Sequence, residues 1–123
     1  MAFLGVRAGA GNLLLESTDV AEVLPFASCT AVPLTHPRFR GLCNVRGTLY
    51  SVLDLPMLLG YAPVTADAHA RLLLLAPNRM RNTALLVNRL VGMYPAPPGD
   101  PWRVIDLDGL LALPEFLDIG VPA

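Results

Sequence analysis

Glycine and proline interrupt this chain so often that they limit what it can fold into. The 123 residues include 10 glycines and 12 prolines, which separate short apolar segments at intervals of roughly eight to twelve residues. Proline removes a backbone donor and glycine weakens the interior of an element, so long helices do not fit between them. The spacing therefore favours short strands joined by turns.

The composition excludes several classes of protein. Hydrophobic residues make up 54% of the chain and charged residues 15%, so a core can form and long disorder is not expected. The net charge of −1 argues against a nucleic-acid partner, because phosphate binding usually requires a basic stripe.

The chain carries no obvious membrane or export signal. Its longest strictly apolar run, Leu72 to Ala76, is far shorter than the roughly 18 residues that a bilayer span requires. Residues 1–11 do not have the basic and apolar parts of a signal peptide. We therefore expect one cytoplasmic domain without direct membrane insertion, in which Cys29 and Cys43 are reduced thiols.

The clearest local pattern is a β-hairpin. Phe39–Val45 and Thr48–Leu53 are apolar arms on either side of Arg46 and Gly47, and Gly47 is expected to supply the positive φ of the turn. The other strands are predicted at Phe3–Val6, Asn12–Glu16, Ser28–Val32, Ala70–Ala76, Thr83–Leu90 and Trp102–Ile105.

The segments between these strands are predicted as turns and loops. Prolines indicate loops at Pro33–Pro37 and Met93–Pro101. Ser17–Asp19 is typical of a turn or helix N-cap, and a single helical turn is predicted after it, at residues 20–24.

Two segments repeat at an offset of 52 residues. Tyr50–Leu55 and Trp102–Leu107 each begin with an aromatic residue, continue as an apolar strand and reach an aspartate, which is followed by leucines. Asp54 and Asp106 are each expected to cap a short helix, because a carboxylate can accept hydrogen bonds from the first free N–H groups. The repeat indicates an architecture of two related halves.

The stretch from Val20 to Gly60 resembles the CheW family. It contains VAEV at 20–23, then a proline-bearing loop, GLCNVRG at 41–47 and VLDL at 52–55. The resemblance implies an all-β fold with short helices, made of two SH3-like β-barrel halves. The first half is expected at about 12–65 and the second at about 66–123, with 1–11 as an N-terminal arm.

The second half departs from the family because it is shorter by about one strand and one hairpin turn. An incomplete barrel leaves backbone N–H and C=O groups unpaired at an edge. Three outcomes are open: cover by the arm 1–11, pairing with a partner, or a homodimer formed through that edge.

The resemblance also implies the function. A CheW-like protein is a non-enzymatic adaptor that couples the cytoplasmic tip of a methyl-accepting chemoreceptor to the regulatory domain of a CheA-like histidine kinase. The pathway is either flagellar chemotaxis or, for a PilI-like subtype, twitching motility with type IV pili. No cofactor, metal or catalytic residue is expected.

Five residues are candidates for partner binding: Arg46, Glu22, Val20, Gly41 and Gly47. Arg46 is the first choice, since a hairpin tip can present its guanidinium to a partner's acidic or carbonyl groups. The alternatives are a solvated arginine, a solvated Glu22, a core Val20 and two purely structural glycines.

Two other functions are alternatives. One is a structural dimerisation module of the same fold. The other is a small enzyme or metal-binding protein using Cys29, Cys43, His36 and His69, although their spacing is not that of a zinc site. Asp106 and Asp108 lack the remaining ligands of a calcium loop, and no phosphate-binding glycine motif is present.

Overall fold

The computed structural model describes residues 2–26, 29–30 and 39–111. These residues form strands and two short helices, so the expected all-β class is confirmed. The elements are β1 (Phe3–Ala8), β2 (Gly11–Glu16), β3 (Val20–Pro25), β4 (Phe39–Val45), β5 (Thr48–Asp54), α1 (Leu55–Leu58), β6 (Arg71–Leu75), β7 (Thr83–Val87), β8 (Arg89–Tyr94), β9 (Arg103–Val104) and α2 (Leu107–Leu111). Within those ranges, no helix has the length and apolar character needed to cross a bilayer.

The β4–β5 hairpin is where the sequence predicts it. Arg46 has a φ of 49° and Gly47 a φ of 87°, so both central residues are left-handed, as in the turns that best match strand twist. The sequence assigned a positive φ to Gly47 alone. The Gly47 N–H donates to Oδ1 of Asn44 at 2.9 Å, and this local bond supports the tip.

β3 to β7 form a five-stranded sheet in the order β3-β6-β7-β5-β4. β5 and β7 are parallel, and the other neighbours are antiparallel. The edge strands β3 and β4 line one groove of about 570 Å³, here called the seam groove. The sheet therefore curls until its two edges face each other.

The remaining strands form a four-stranded sheet that repeats this pattern in the order β8-β1-β2-β9. β9 is parallel to β2 as β5 is parallel to β7, and Val104 pairs with Leu14 as Val52 pairs with Ala84. The predicted repeat of 52 residues is therefore a structural one. Within the described ranges β4 has no counterpart, which leaves the outer edge of β9 unpaired and the second half incomplete.

Three local predictions were wrong, one of them the loop at Met93–Pro101, whose first two residues belong to β8. Residues 20–24 belong to strand β3 and not to a helical turn, because they pair with β6 through backbone hydrogen bonds that a helical turn would forgo. The strand predicted at Thr83–Leu90 is two strands: β7 ends at Val87, and β8 continues to Tyr94 in the other sheet, paired with β1. Of the strand predicted at Ser28–Val32, only residues 29–30 are described, and the loop Pro33–Pro37 lies outside the described residues.

The two sheets do not follow the expected division of the chain near residue 65. β1, placed in an N-terminal arm, lies between β8 and β2 inside the four-stranded sheet, while β6 and β7 belong to the five-stranded one. The chain crosses between sheets at Asn88, whose Oδ1 accepts a hydrogen bond from the Gly9 N–H at 2.6 Å.

Two core clusters hold the fold together. The larger lies between the sheets and combines Leu4, Val6 and Leu15 of one sheet with residues such as Leu73 and Leu85 of the other. The smaller packs on the opposite face of the five-stranded sheet.

An aromatic pair covers part of the corresponding face of the four-stranded sheet. The rings of Tyr94 and Trp102 lie 5.3 Å apart, centroid to centroid, and both contact the Gly5 position. A Cβ at Gly5 would lie 2.7 Å from the Tyr94 ring, so only glycine admits this packing.

The fully buried carboxylate of Asp54 joins several elements. It accepts hydrogen bonds from the Met57 N–H in α1 at 3.0 Å and from the Val64 N–H at 2.9 Å. The Arg40 guanidinium of β4 approaches it at 2.9 Å and also donates to the Val64 carbonyl. Asp54 is therefore a helix cap, as predicted, and also half of a buried ion pair.

We predict that Asp54→Ala lowers the free energy of unfolding by about 3–5 kcal/mol, because it leaves the Arg40 charge and two N–H groups without their partner. The matched control is Asp106→Ala at the equivalent, exposed position before α2, where removing the carboxylate should cost at most about 1 kcal/mol. Urea unfolding of both variants measures the difference. Equal losses would show that the buried network adds nothing to the cap.

Candidate partner-binding site

The two charged residues selected from the sequence bind each other. Arg46 Nη1 lies 3.0 Å from Glu22 Oε2, and Nη2 lies 2.6 Å from Oε1, which is the paired geometry typical of arginine and carboxylate. The side chains are 66% and 38% exposed. The guanidinium is thus displayed outward, although it is already engaged by a neighbour that sequence reasoning treated separately.

The fold explains why residues 24 positions apart meet. Arg46 is at the tip of the β4–β5 hairpin, and Glu22 lies in β3, at the opposite edge of the same sheet. Because the sheet curls, the ion pair spans the opening between its two edge strands, beside the seam groove. Predicting this contact required knowing that β3 is a strand.

The two glycines have different settings. Gly47 is exposed at the tip, and a Cβ added there would meet nothing within 4 Å, so a partner can approach the backbone closely. Gly41 is buried, with a φ of 131°, at the register shift of β4 against β5. It shapes the hairpin and offers no exposed contact.

Val20 is half-buried and packs against the core between the sheets. With Glu22 and Val23 of β3, Leu4 of β1 and Met93 of β8, it lines a small cavity of about 150 Å³, here called the intersheet groove. Met93 is 58% exposed. Sequence reasoning missed Met93 because its position was predicted to start a loop, and only the pairing of β8 with β1 brings it to β3.

Hydrogen bonding within the ion pair shifts the pKa of both Glu22 and Arg46. Arg46 holds the pKa of the Glu22 carboxyl below its ordinary value of 4.5, and Glu22 raises the pKa of the Arg46 guanidinium. Both groups are exposed, so water and salt screen the pair and its contribution to stability is small. Its importance lies in fixing the direction of the guanidinium.

The described residues contain no cluster of side chains that could hold a metal ion. No group of three or more His, Cys, Asp or Glu side chains converges within them, and His36 lies outside them. Burial raises the pKa of the Cys29 thiol to about 11, which is the opposite of an activated nucleophile. A cavity of about 720 Å³ lies between β2, β9 and α2 and away from the ion pair.

Comparisons with known proteins agree with this architecture. The family model of the CheW-like domain matches residues 2–100, a range that ends just before β9. Among solved structures, the chain is similar to the scaffolding protein TtCheW from Thermoanaerobacter tengcongensis. The TM-score is 0.75 at 19% sequence identity, over 93% of this chain and 94% of that one. This likeness concerns the fold and confirms the two SH3-like halves. No curated protein matches the chain.

We predict that Arg46→Ala returns the Glu22 pKa towards 4.5, because the hydrogen bond that lowers it is lost. A lowered pKa stabilises the folded state only above the unfolded value, and this contribution disappears as pH falls through the folded value. NMR titration of the Glu22 carboxyl carbon measures the shift. Arg89→Ala, at an exposed site in β8, is the control and should change nothing. A Glu22 pKa that is the same in wild type and Arg46→Ala would contradict the pairing.

Proposed function

We propose that this chain, which belongs to the CheW-like domain family, is a non-enzymatic adaptor that couples chemoreceptors to a histidine kinase. The observation that carries the proposal is the exposed Arg46–Glu22 ion pair at the rim of the intersheet groove. An adaptor of this kind acts by binding partners at its surface. The ion pair provides a charged surface, and the adjacent groove provides an apolar one.

The receptor tip is proposed to bind at the intersheet groove. The groove has space for one or two apolar side chains beside Val20 and Met93. Arg46 uses two of its guanidinium N–H groups on Glu22, and the remaining N–H groups can donate to acidic or carbonyl groups of a receptor helix. An apolar centre with a polar rim is the usual anatomy of such an interface.

The kinase's regulatory domain is proposed to bind the end of the five-stranded sheet at the β4–β5 hairpin. Leu49, beside the tip, is 55% exposed, and Gly47 leaves the backbone of the turn open. An apolar side chain next to a fixed charge provides both contact area and orientation. The hairpin would then take part in both interfaces, through Arg46 with the receptor and through Leu49 with the kinase.

The proposal places the protein in the cytoplasm, where a receptor tip and a kinase domain meet. The narrower role, in flagellar chemotaxis or in a PilI-like twitching-motility pathway, depends on which receptor and kinase it meets. Genes for a receptor and a kinase beside its own would identify the pathway.

We predict that Arg46→Ala weakens receptor-tip binding by about 10- to 100-fold, the loss expected for a charged hydrogen bond. Isothermal titration calorimetry with the receptor tip and, separately, the kinase domain measures it. Arg89→Ala is the control for removing a positive charge elsewhere and should bind as wild type. Circular dichroism of both variants checks that the fold is intact.

A charge-swapped variant separates two roles of the pair. Glu22→Arg with Arg46→Glu restores an ion pair but reverses the charge at the hairpin tip. If Arg46 contacts the partner directly, the swapped variant does not recover binding. Recovered binding would show that the ion pair only holds the hairpin in position. Wild-type protein that binds neither partner at about 50 µM, where single contacts of a multivalent array remain measurable, would refute the adaptor role.

A second candidate, self-association, is favoured by the edge of β9. The Ile105 N–H donates to the Leu14 carbonyl at 2.8 Å, and alternate residues direct their backbone groups to opposite sides of a strand. The N–H and C=O of Val104 therefore point away from β2. The Val104 side chain is 49% exposed, so this edge can accept another strand.

The proposed occupant of that edge is a second copy of β9. In an antiparallel pair about a two-fold axis at Val104, the two Val104 residues lie opposite each other and Arg103 of each copy lies opposite Ile105 of the other. The second copy of β9 would then lie beside β9 as β4 lies beside β5 in the five-stranded sheet. A dimerisation module would need this edge and would be indifferent to Arg46.

We predict that Val104→Pro abolishes self-association without unfolding the chain, because proline removes an N–H that points outward. Val104→Thr keeps the N–H and the branched side chain and is the matched control. Sedimentation equilibrium at up to about 200 µM, a range suited to weak interfaces, measures the dimer. A wild-type chain that stays monomeric, or a dimer unaffected by Val104→Pro, would exclude β9 as the interface.

A further inference from the structure

The two cysteines of the chain face each other across a pair of antiparallel strand segments. Thr30 and Leu42 exchange both backbone hydrogen bonds, each with an N–O distance of 2.9 Å. In an antiparallel ladder the next pair of opposed residues has no hydrogen bonds, and its Cα atoms lie about 4.5 Å apart. Thr30 and Leu42 form an isolated antiparallel bridge. Cys29 precedes Thr30 and Cys43 follows Leu42, so the direction of the bridge makes them the next opposed pair.

Their surroundings support this juxtaposition. Both thiols are half-buried and free, and both pack against the same core cluster. Burial is the main cause of the raised pKa of Cys29, and the neighbouring Cys43 raises it further. A Cα separation of about 4.5 Å lies within the range that a disulfide spans without backbone movement.

The Cys43 thiol lies beside an open groove. Cys43 belongs to the wall of the seam groove, together with Thr30 and Leu42. A small oxidant can therefore reach Cys43 through the groove, while Cys29 is placed to attack the product. An exposed first thiol with a resolving partner is the usual arrangement of a redox-sensitive cysteine.

We propose that Cys29 and Cys43 are a redox-sensitive pair that closes to an intramolecular disulfide when a peroxide oxidises Cys43. Peroxide first converts the Cys43 thiol to a sulfenic acid and releases one water. The Cys29 sulfur then displaces the hydroxyl group, which leaves as a second water with the proton from Cys29. Two thiols and one hydrogen peroxide thus give one disulfide and two waters, with two electrons passing to the peroxide.

The closed disulfide would fasten the segment at residues 29–30 to β4. β4 leads directly to the hairpin tip that displays Arg46, and the disulfide would border the seam groove that the Arg46–Glu22 pair spans. The thiol pair itself does not depend on the adaptor role, whereas any effect on partner binding does. In a reducing compartment such a bond would be transient.

The test treats the intact protein with hydrogen peroxide, blocks the remaining thiols by alkylation and measures its mass. We expect a loss of about 2 Da, the two hydrogens removed by disulfide formation, and full reversal by dithiothreitol. Trypsin cleaves after Arg7, Arg38, Arg40 and Arg46, so the peptide 41–46 should be recovered linked to 8–38.

Two further measurements make the expectation specific. The closed loop of about 15 residues should raise Tm by roughly 10 °C on oxidation, and Cys29→Ser and Cys43→Ser should each lose that increase. Closure of the disulfide should also be faster at pH 9 than at pH 7. Cys29 attacks as a thiolate, and its raised pKa leaves little thiolate at neutral pH.

Three results would overturn the inference: oxidation of each cysteine to a sulfinic acid without a linked peptide, a link found only between two chains, or an increase in Tm that survives Cys29→Ser. The linked peptide is measured on wild-type protein, so it does not depend on whether the variants fold. If the link forms but neither the reduced nor the oxidised protein binds receptor or kinase, the inference stands and the adaptor role fails.

Discussion

The structure depends most on one buried carboxylate. Asp54 ends β5, caps α1, fixes the segment at Val64 and neutralises Arg40 from β4. A charge without water is tolerated only when its hydrogen bonds are satisfied, so these four elements must be correctly placed together. Arg40 also lies over the Phe26 ring, 5.7 Å from its centroid, which extends the network towards the end of β3. The network thereby links β4 and β5 with the residue that follows β3.

The curvature of the five-stranded sheet brings the tip of the β4–β5 hairpin next to β3. The Arg46–Glu22 pair contributes little to stability because it is exposed, yet it connects the two edges of one sheet and orients a guanidinium beside the groove between the sheets. The same curvature brings the Cys29 segment against β4. Both sites therefore depend on β4. Its hairpin tip carries Arg46 to Glu22 in β3, and Leu42 within it pairs with Thr30, which follows Cys29.

Internal repetition explains both the likeness and the asymmetry of the halves. β9 pairs with β2 as β5 pairs with β7, and each of these strands is followed by a short helix. The first half has β4 to complete its sheet and a core cluster of its own. In the described part of the second half, an aromatic pair over Gly5 covers the comparable face. The family model stops at residue 100, where this divergence begins.

The sequence by itself determined the features that depend on neighbours along the chain. The Asp54 cap and the tight turn at Gly47 follow from local hydrogen bonding and backbone freedom, and the 52-residue repeat was visible in the order of residue types. The tertiary structure alone decided that β3 is a strand, that β8 continues to Met93 in a different sheet, and that Arg46 binds Glu22. Each of these requires a partner distant in sequence, and an extended segment has no local hydrogen bonds to reveal its state. Pairing with a distant strand, and not local propensity, decides whether such a segment becomes a strand, a turn or a loop.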